Sequence, residues 1–211
     1  MEKIILNRVV THRNKNVVIP MLTGIFLALY SLTGSLSYQR GVVLVMPELE
    51  QAIPFWTWTI WIYIVLYPAF LVWSLYTYKD TANMNKTTYG FLLLTFISCT
   101  FFMLFPTIYP REFFPLPHND DLTTLIFRAM RAADKPSNCL PSLHVGLCYT
   151  FSYGFYQESK SKFWIAIFIS TLIAISTLTT KQHYIYDIVL GFLLASGIYW
   201  FFQKFTDISD K

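Results

Sequence analysis

The chain has 211 residues, of which 55% are hydrophobic, 18% aromatic and only 13% charged, with a formal charge of +4. A soluble domain usually carries about 25% charged residues, so the composition excludes an ordinary water-soluble fold and points to lipid as the solvent. No basic stripe interleaved with aromatics is present on a polar segment, which excludes nucleic acid as a partner.

About 20 apolar helical residues cross the ~30 Å hydrocarbon core. Six runs qualify, at 17–38, 54–77, 91–109, 140–157, 162–180 and 184–203. The first follows a basic stretch with Lys3, Arg8, Arg13 and Lys15; it is too long for a signal peptide and no small-residue cleavage site follows it, so it reads as a span. Prolines at 20, 68 and 106 are tolerable in membrane helices. The loop between the third and fourth spans, about 110–139, is the longest. Within it Asp120 or Asp121 is placed to cap a helix, and Leu122, Leu125, Ile126, Ala129 and Met130 repeat at helical spacing. That pattern predicts an amphipathic helix on the outer membrane surface, or, read more sharply, a lid over a lipid-entry site. The expected fold is therefore all-α: a polytopic membrane protein of six transmembrane helices with one short amphipathic helix, residues 1–211 forming a single domain.

Orientation follows from the cations. Ten of the sixteen Lys and Arg lie on the side that holds both termini, Lys211 among them. Arg40, Arg111, Arg128, Arg131, Lys135 and Lys181 lie on the other. The positive-inside rule places both termini in the cytoplasm; the small size and short loops suit a bacterial inner membrane. Cys99, Cys139 and Cys148 show neither a disulfide framework nor zinc spacing and read as small buried hydrophobes.

Ionisable residues at span ends are costly in lipid and are functional candidates by default. His144 follows Pro141-Ser142-Leu143 at the mouth of the fourth span, and His183 opens the sixth, four residues before Asp187. On a helix that spacing puts His183 and Asp187 on one face. A carboxylate on one ring nitrogen fixes the tautomer and makes the other nitrogen a better nucleophile or base. His144 supplies a second acid–base group, and Lys181 with the loop arginines supplies positive charge. Two histidines, one carboxylate and several cations suit phosphoryl transfer through a phosphohistidine. No metal or other cofactor is required. The alternatives are a hydrogen-bonded pair that only stabilises a helix start, or the two histidines and Asp187 as a facial zinc set.

Pro141-Ser142-Leu143-His144, together with Ser176, His183 and Asp187, resembles the second and third motifs of the type-2 phosphatidic acid phosphatase superfamily, whose membrane members have a six-helix core. The resemblance covers mainly 105–191, and implies a core of about 54–203. It implies His183 as nucleophile, Asp187 as its orienting carboxylate, His144 as the acid that protonates the leaving group, and Ser142 in phosphate binding. The substrate it implies is a lipid phosphate met among membrane lipids. Two positions depart from the family pattern. Thr177 stands where the third motif has arginine, and Lys181, one helical turn on, is expected to replace that charge as a point cation rather than a bidentate fork. Leu143 stands where the second motif has glycine, and Pro-Ser-Leu-His is similar to the branch that holds inositol phosphorylceramide synthase. That branch implies a hydroxyl acceptor, lipid or polyol, as an alternative to water. For the poorly matched first motif, Arg111 is assigned phosphate binding, with Arg128, Lys135 and Pro136 as a rival set. Asp134 and Asn138 either brace this loop or are ordinary turn residues. A non-catalytic lipid-phosphate binding or transport protein on the same scaffold is the remaining reading.

Overall fold

The computed structural model describes residues 2–46 and 48–209; Lys211, counted above, lies outside them. Among the described residues, seven helices of twelve residues or more follow in order: α1 (Lys15–Tyr38), α2 (Thr57–Thr77), α3 (Thr81–Leu104), α4 (Leu122–Ala133), α5 (Leu143–Gly154), α6 (Lys160–Thr179) and α7 (Ile185–Phe205). Among the described residues, five of these, α1, α2, α3, α6 and α7, are long and apolar enough to cross a membrane.

The run 140–157, expected as a span, instead yields the 12-residue α5. At 1.5 Å per residue it reaches only about 18 Å. The Ser142 side chain caps its start by accepting the Val145 N–H, and the Phe155 N–H closes its end on the carbonyls of Ser152 and Tyr153. Nine of the twelve residues are buried, because α2, α3, α6 and α7 all pack on α5. A helix enclosed by protein is apolar on every side, and that pattern is indistinguishable in sequence from one facing lipid.

Where lipid removes the hydrophobic drive, helix association rests on close packing, which small residues permit. A Cβ on Gly146 of α5 would come within 3.0 Å of the Leu94 side chain of α3, and one on Gly191 of α7 within 2.5 Å of the Ser142 carbonyl. These glycines set how near α5 lies to its neighbours. Leu94, Leu147, Phe151, Ile173 and Ile198 fill the main core.

The two ends of the bundle are tied differently. At one end β1 (Ile4–Leu6) pairs in parallel with β4 (Thr206–Ile208), Ile4 opposite Thr206. There the Asn85 side chain holds the Val9 and Val10 backbone, and Glu158 accepts the N–H groups of Lys79 and Asp80. At the other end β2 (Val42–Val43) pairs in parallel with β3 (Thr107–Ile108). The Trp56 N–H donates to the Thr179 carbonyl at 2.9 Å, and the Ser142 N–H to the Asp187 carbonyl at 2.9 Å. The β1–β4 pair thus sits at the opposite pole from Ser142 and Asp187.

In α4 the Asp121 side chain caps the first turn through the Thr124 N–H at 2.8 Å. Thr124 and Phe127 are buried, and Phe127 packs with Ile60 and Tyr63 of α2, backed by Ile126 and Met130. Leu122 and Leu125 of the predicted apolar stripe are exposed. The inward anchor is Phe127, one residue around the helix from that stripe.

Candidate active site

The start of α7 is held by its own side chains. The Asp187 Oδ2 accepts the Tyr184 N–H at 2.8 Å, Glu50 Oε2 accepts the Ile185 N–H at 3.3 Å, and the Tyr184 hydroxyl donates to the Ile108 carbonyl at 2.8 Å. This fixes the short turn after α6 on which His183 stands. His183 Nδ1 is 3.1 Å from Asp187 Oδ2; the pair meets across the helix start, His183 lying before the N-cap Tyr184, rather than along one helical face. His144, in the first turn of α5, places Nδ1 3.2 Å from His183 Nε2. Tyr63 of α2 places its hydroxyl 2.8 Å from His144 Nε2.

A carboxylate only accepts, so His183 carries a proton on Nδ1 and donates to Asp187. In the neutral imidazole its Nε2 is then a lone pair, which accepts from His144 Nδ1–H. His144 Nε2 in turn accepts the Tyr63 O–H. Every contact in the row Tyr63, His144, His183, Asp187 is satisfied by one set of tautomers. His183 is 4% exposed and Asp187 fully buried, so water does not compete for these bonds. Asp187 Oδ1 is buried without a hydrogen-bond partner. Asp187 lies on the Nδ1 side of His183 and His144 on the Nε2 side, so one ion cannot touch all three. The facial zinc set is not assembled, and no group of three His, Cys, Asp or Glu among the described residues is placed to hold a metal.

Tyr63 was not legible as a site residue. It lies in a π-helical segment, Ile62–Leu66, closed by the Tyr67 N–H on the Ile62 carbonyl. Pro68 follows at once and lacks the N–H that would continue the α ladder. π segments recur at functional sites because they re-aim single side chains. The rings of Tyr63, Tyr67 and Tyr30 stand 4.9, 5.0 and 6.3 Å from that of His144. Replacing Tyr63 with Phe keeps the packing and removes one hydrogen bond. The expected result is a roughly tenfold fall in kcat with KM unchanged, read from steady-state turnover of the purified full chain. Equal kcat values would show that the hydroxyl does not set the His144 tautomer.

Arg111 sits in a 3-10 turn after α3 and is 9% exposed. Its Nη1 donates to the Asp134 carbonyl and its Nη2 lies 3.4 Å from Asp134 Oδ2. Burial pushes the Asp134 carboxyl above its ordinary range, with Arg111 and His183 pulling against it. Asn138 braces the same loop on α1: its amide donates to the Tyr30 carbonyl at 2.8 Å, and the Ser37 hydroxyl donates to its Oδ1 at 3.2 Å. Arg128 of the rival set is exposed and paired with Asp120, and Lys135 donates to Ser35 on the surface.

Lys181 departs from its expected place. The helix on which it was to follow position 177 ends at Thr179, and Lys181 takes a left-handed φ of 57°. Its ammonium donates to the Ile53 carbonyl at 2.7 Å and to that of Glu50 at 3.4 Å, and lies 4.7 Å from the Phe114 ring centre. Burial lowers its pKa, against the pull of Glu50. Thr177 returns its own hydroxyl to the Ala174 carbonyl at 2.8 Å. The charge missing at 177 is therefore not restored by Lys181. Ser142 Oγ is held at the α5 cap, 3.4 Å from the Val145 N.

A cation outside both candidate sets stands close by. Arg131 stacks 4.9 Å from the ring centre of Phe127 and 5.5 Å from that of Phe55. Burial, and then repulsion from Arg111, push its pKa down to about 10. One turn along α5 from His144 opens an apolar cavity of about 300 Å³, lined by Phe26, Tyr67, Leu71, Phe91, Leu147 and Phe151 among others. Tyr67 borders both the cavity and His144.

A family model described as the PAP2 superfamily matches residues 47–201. No curated protein and no solved structure gives a match.

Proposed function

The chain belongs to the PAP2 superfamily, and from that premise we propose that it is an integral-membrane phosphatase or phosphotransferase that acts on a lipid phosphate through a phosphohistidine at His183. The observation that carries this reading is the buried row in which Asp187 orients His183 and His144 faces its free nitrogen.

In the first half-reaction His183 Nε2 attacks phosphorus and the bond to the lipid oxygen breaks. The negative phosphate favours a doubly protonated His144, whose Nε2–H is then accepted by the Tyr63 oxygen. His144 Nδ1–H, already aimed at the reacting nitrogen, passes to the leaving oxygen. In the second half-reaction His144 takes a proton from water or from another hydroxyl as that oxygen attacks the phosphohistidine. Arg111 and Ser142 hold phosphoryl oxygens, and Lys181 holds the Glu50–Ile53 loop that supports α7. The cavity beside Tyr67 gives the lipid chain a place next to the leaving oxygen.

The charge distribution supports an orientation with both termini cytoplasmic and the histidines extracytoplasmic, in a bacterial inner membrane. In that orientation α4 lies at the outer surface, and α5 completes a six-helix core from within the bundle. Pro-Ser-Leu-His favours an acceptor hydroxyl in addition to water, as in the inositol phosphorylceramide synthase-like branch.

The test uses full-length protein in detergent and a lipid phosphate labelled at phosphorus. The expected results are an alkali-stable, acid-labile label on the wild-type chain and release of inorganic phosphate. Added lipid or polyol alcohols would divert label into a new ester if transfer operates. Absence of a labelled chain together with absence of turnover across glycerolipid, polyprenyl, sphingoid and lipid A-type phosphates would overturn the enzymatic reading in favour of binding alone.

A further inference from the structure

Two arginines beside the histidine row carry donors that the protein leaves unused. Arg131 Nη1 donates to the Phe114 carbonyl at 3.0 Å, but its Nε and Nη2 are buried with no hydrogen-bond partner, as is Nε of Arg111. Nε and Nη2 form one edge of the guanidinium, the edge that takes an oxyanion through two parallel hydrogen bonds. Leaving such donors without a protein acceptor is costly when they are buried, so this edge is suited to an acceptor brought by a ligand.

The two side chains belong to one small structure. The Phe114 N–H closes the turn that begins at Arg111, and the Phe114 carbonyl receives Arg131. Asp134, three residues after Arg131, receives Arg111. The Arg131 guanidinium lies 5.5 and 4.9 Å from the ring centres of Phe55 and Phe127, and those rings offer no acceptor to its Nε and Nη2. Mutual repulsion between Arg131 and Arg111 is a cost that a shared anion relieves. Phe127, beside which Arg131 lies, packs with Tyr63, whose hydroxyl meets His144. Asp134, which receives Arg111, is bonded by the Tyr30 hydroxyl at 3.4 Å, and the Tyr30 ring lies 6.3 Å from that of His144, so the pair borders the Tyr63–His144 end of the row.

We infer that Arg131, with Arg111, forms a bidentate cradle for the phosphoryl oxygens of the substrate, and that Arg131 supplies the planar fork that Thr177 cannot. The inference rests on the enzymatic reading above for the identity of the ligand, and on the unpaired donors for the existence of the site. Arg131 is a binding residue in this assignment, and it orients phosphorus toward His183 Nε2.

The experiment separates the two readings by measuring binding without turnover. The purified full chain is titrated with sodium phosphate at constant ionic strength, held with sodium chloride, and the Kd is read from the rise in thermal unfolding temperature. Parallel assays give KM and kcat for a short-chain phosphatidic acid. The wild type and His183→Ala are expected to bind phosphate alike. Arg131→Ala is expected to weaken phosphate and raise KM by about tenfold or more. Arg131→Lys keeps the charge but not the fork and is expected to recover only part of the affinity, and it remains informative if the alanine variant does not fold. Arg128→Ala, which loses an exposed pair with Asp120 and bonds to the Pro117 and Asn119 carbonyls of the preceding loop, is expected to match the wild type in KM and phosphate affinity. Phosphate binding that survives Arg131→Lys and Arg131→Ala unchanged would overturn the cradle even with turnover intact. An unchanged KM in a variant that has lost inorganic phosphate would place the anion site away from the substrate and overturn the assignment as well. Phosphate binding that depends on Arg131 in a protein with no turnover would leave the cradle standing and defeat the enzymatic reading.

Discussion

Turnover of a lipid phosphate is expected to fall by about four orders of magnitude or more when His183 is replaced by alanine, with the fold retained. Removing the nucleophile of a covalent mechanism leaves only binding and electrostatic stabilisation, and that loss is of this size in hydrolases. The label trapped on the chain disappears with it. Asp187→Asn separates orientation from nucleophilicity. The amide oxygen can still accept from His183, but its N–H₂ presents the wrong partner in the alternative rotamer and stabilises no imidazolium, so a loss of about 10²–10⁴-fold in kcat is expected. Asp187 Oδ2 also receives the Tyr184 N–H at the first turn of α7, so part of the effect of Asp187→Asn passes through the position of His183 itself. Comparison of the two variants by steady-state kinetics and label trapping distinguishes these routes. His183→Ala should show no label at any time, whereas Asp187→Asn should accumulate label slowly. Wild-type turnover in purified His183→Ala would exclude a phosphohistidine at this position.

Much of this site is written in local spacing, and the parts that are not depend on tertiary contacts. His183 and Asp187 are legible because they are close in sequence, although they meet across the start of α7, where Asp187 turns back to the preceding turn, and not on a shared helical face. His144 is legible through its neighbours Pro141 and Ser142, which start a helix. The five long helices are legible because lipid demands long apolar runs. The short α5 is not, since Leu143–Gly154 is apolar through enclosure by other helices. Tyr63 is not, because a tyrosine in an apolar span reads first as an interface anchor, and only the π segment before Pro68 turns it to His144. Lys181 does not follow Thr177 along one helical face, because the chain leaves α6 at Thr179 and turns through a positive φ at Lys181. Arg131 carried a usable signal. It lies four residues after Phe127 and seven after Thr124, the two buried positions of α4, and so shares their inward face. Arg128, which fits the motif spacing, lies about 60° around the helix from Arg131 and is exposed.

Gly191 supplies the second large effect, although it touches no substrate. An ideal Cβ there would stand 2.5 Å from the Ser142 carbonyl and 3.4 Å from the Gly146 nitrogen. Both atoms belong to the hydrogen bond that opens α5, Gly146 N–H to Ser142 O at 2.9 Å, and the Ser142 N–H is itself bonded to the Asp187 carbonyl. The backbone cannot turn aside as a flexible side chain would. A methyl group at 191 therefore pushes the start of α5 from α7 by roughly 1 Å, the gap between the observed approach and an ordinary van der Waals contact. His144 rides on α5 and His183 on the turn before α7, so their 3.2 Å contact opens with it. A displacement of that size costs about 10²-fold in rate, and overpacking costs ~1–3 kcal/mol of stability. Because Arg111 and Arg131 are carried on other elements and only Ser142 moves with α5, Gly191→Ala should lower kcat by much more than it raises KM or the phosphate Kd. Gly197→Ala is the control on the same helix: nothing lies within 4 Å of its Cβ, and alanine is the better helix former, so activity and unfolding temperature should hold or rise. Equal kcat in Gly191→Ala and Gly197→Ala would show that catalysis tolerates separation of the two histidines, and that their contact is a resting arrangement which substrate binding replaces.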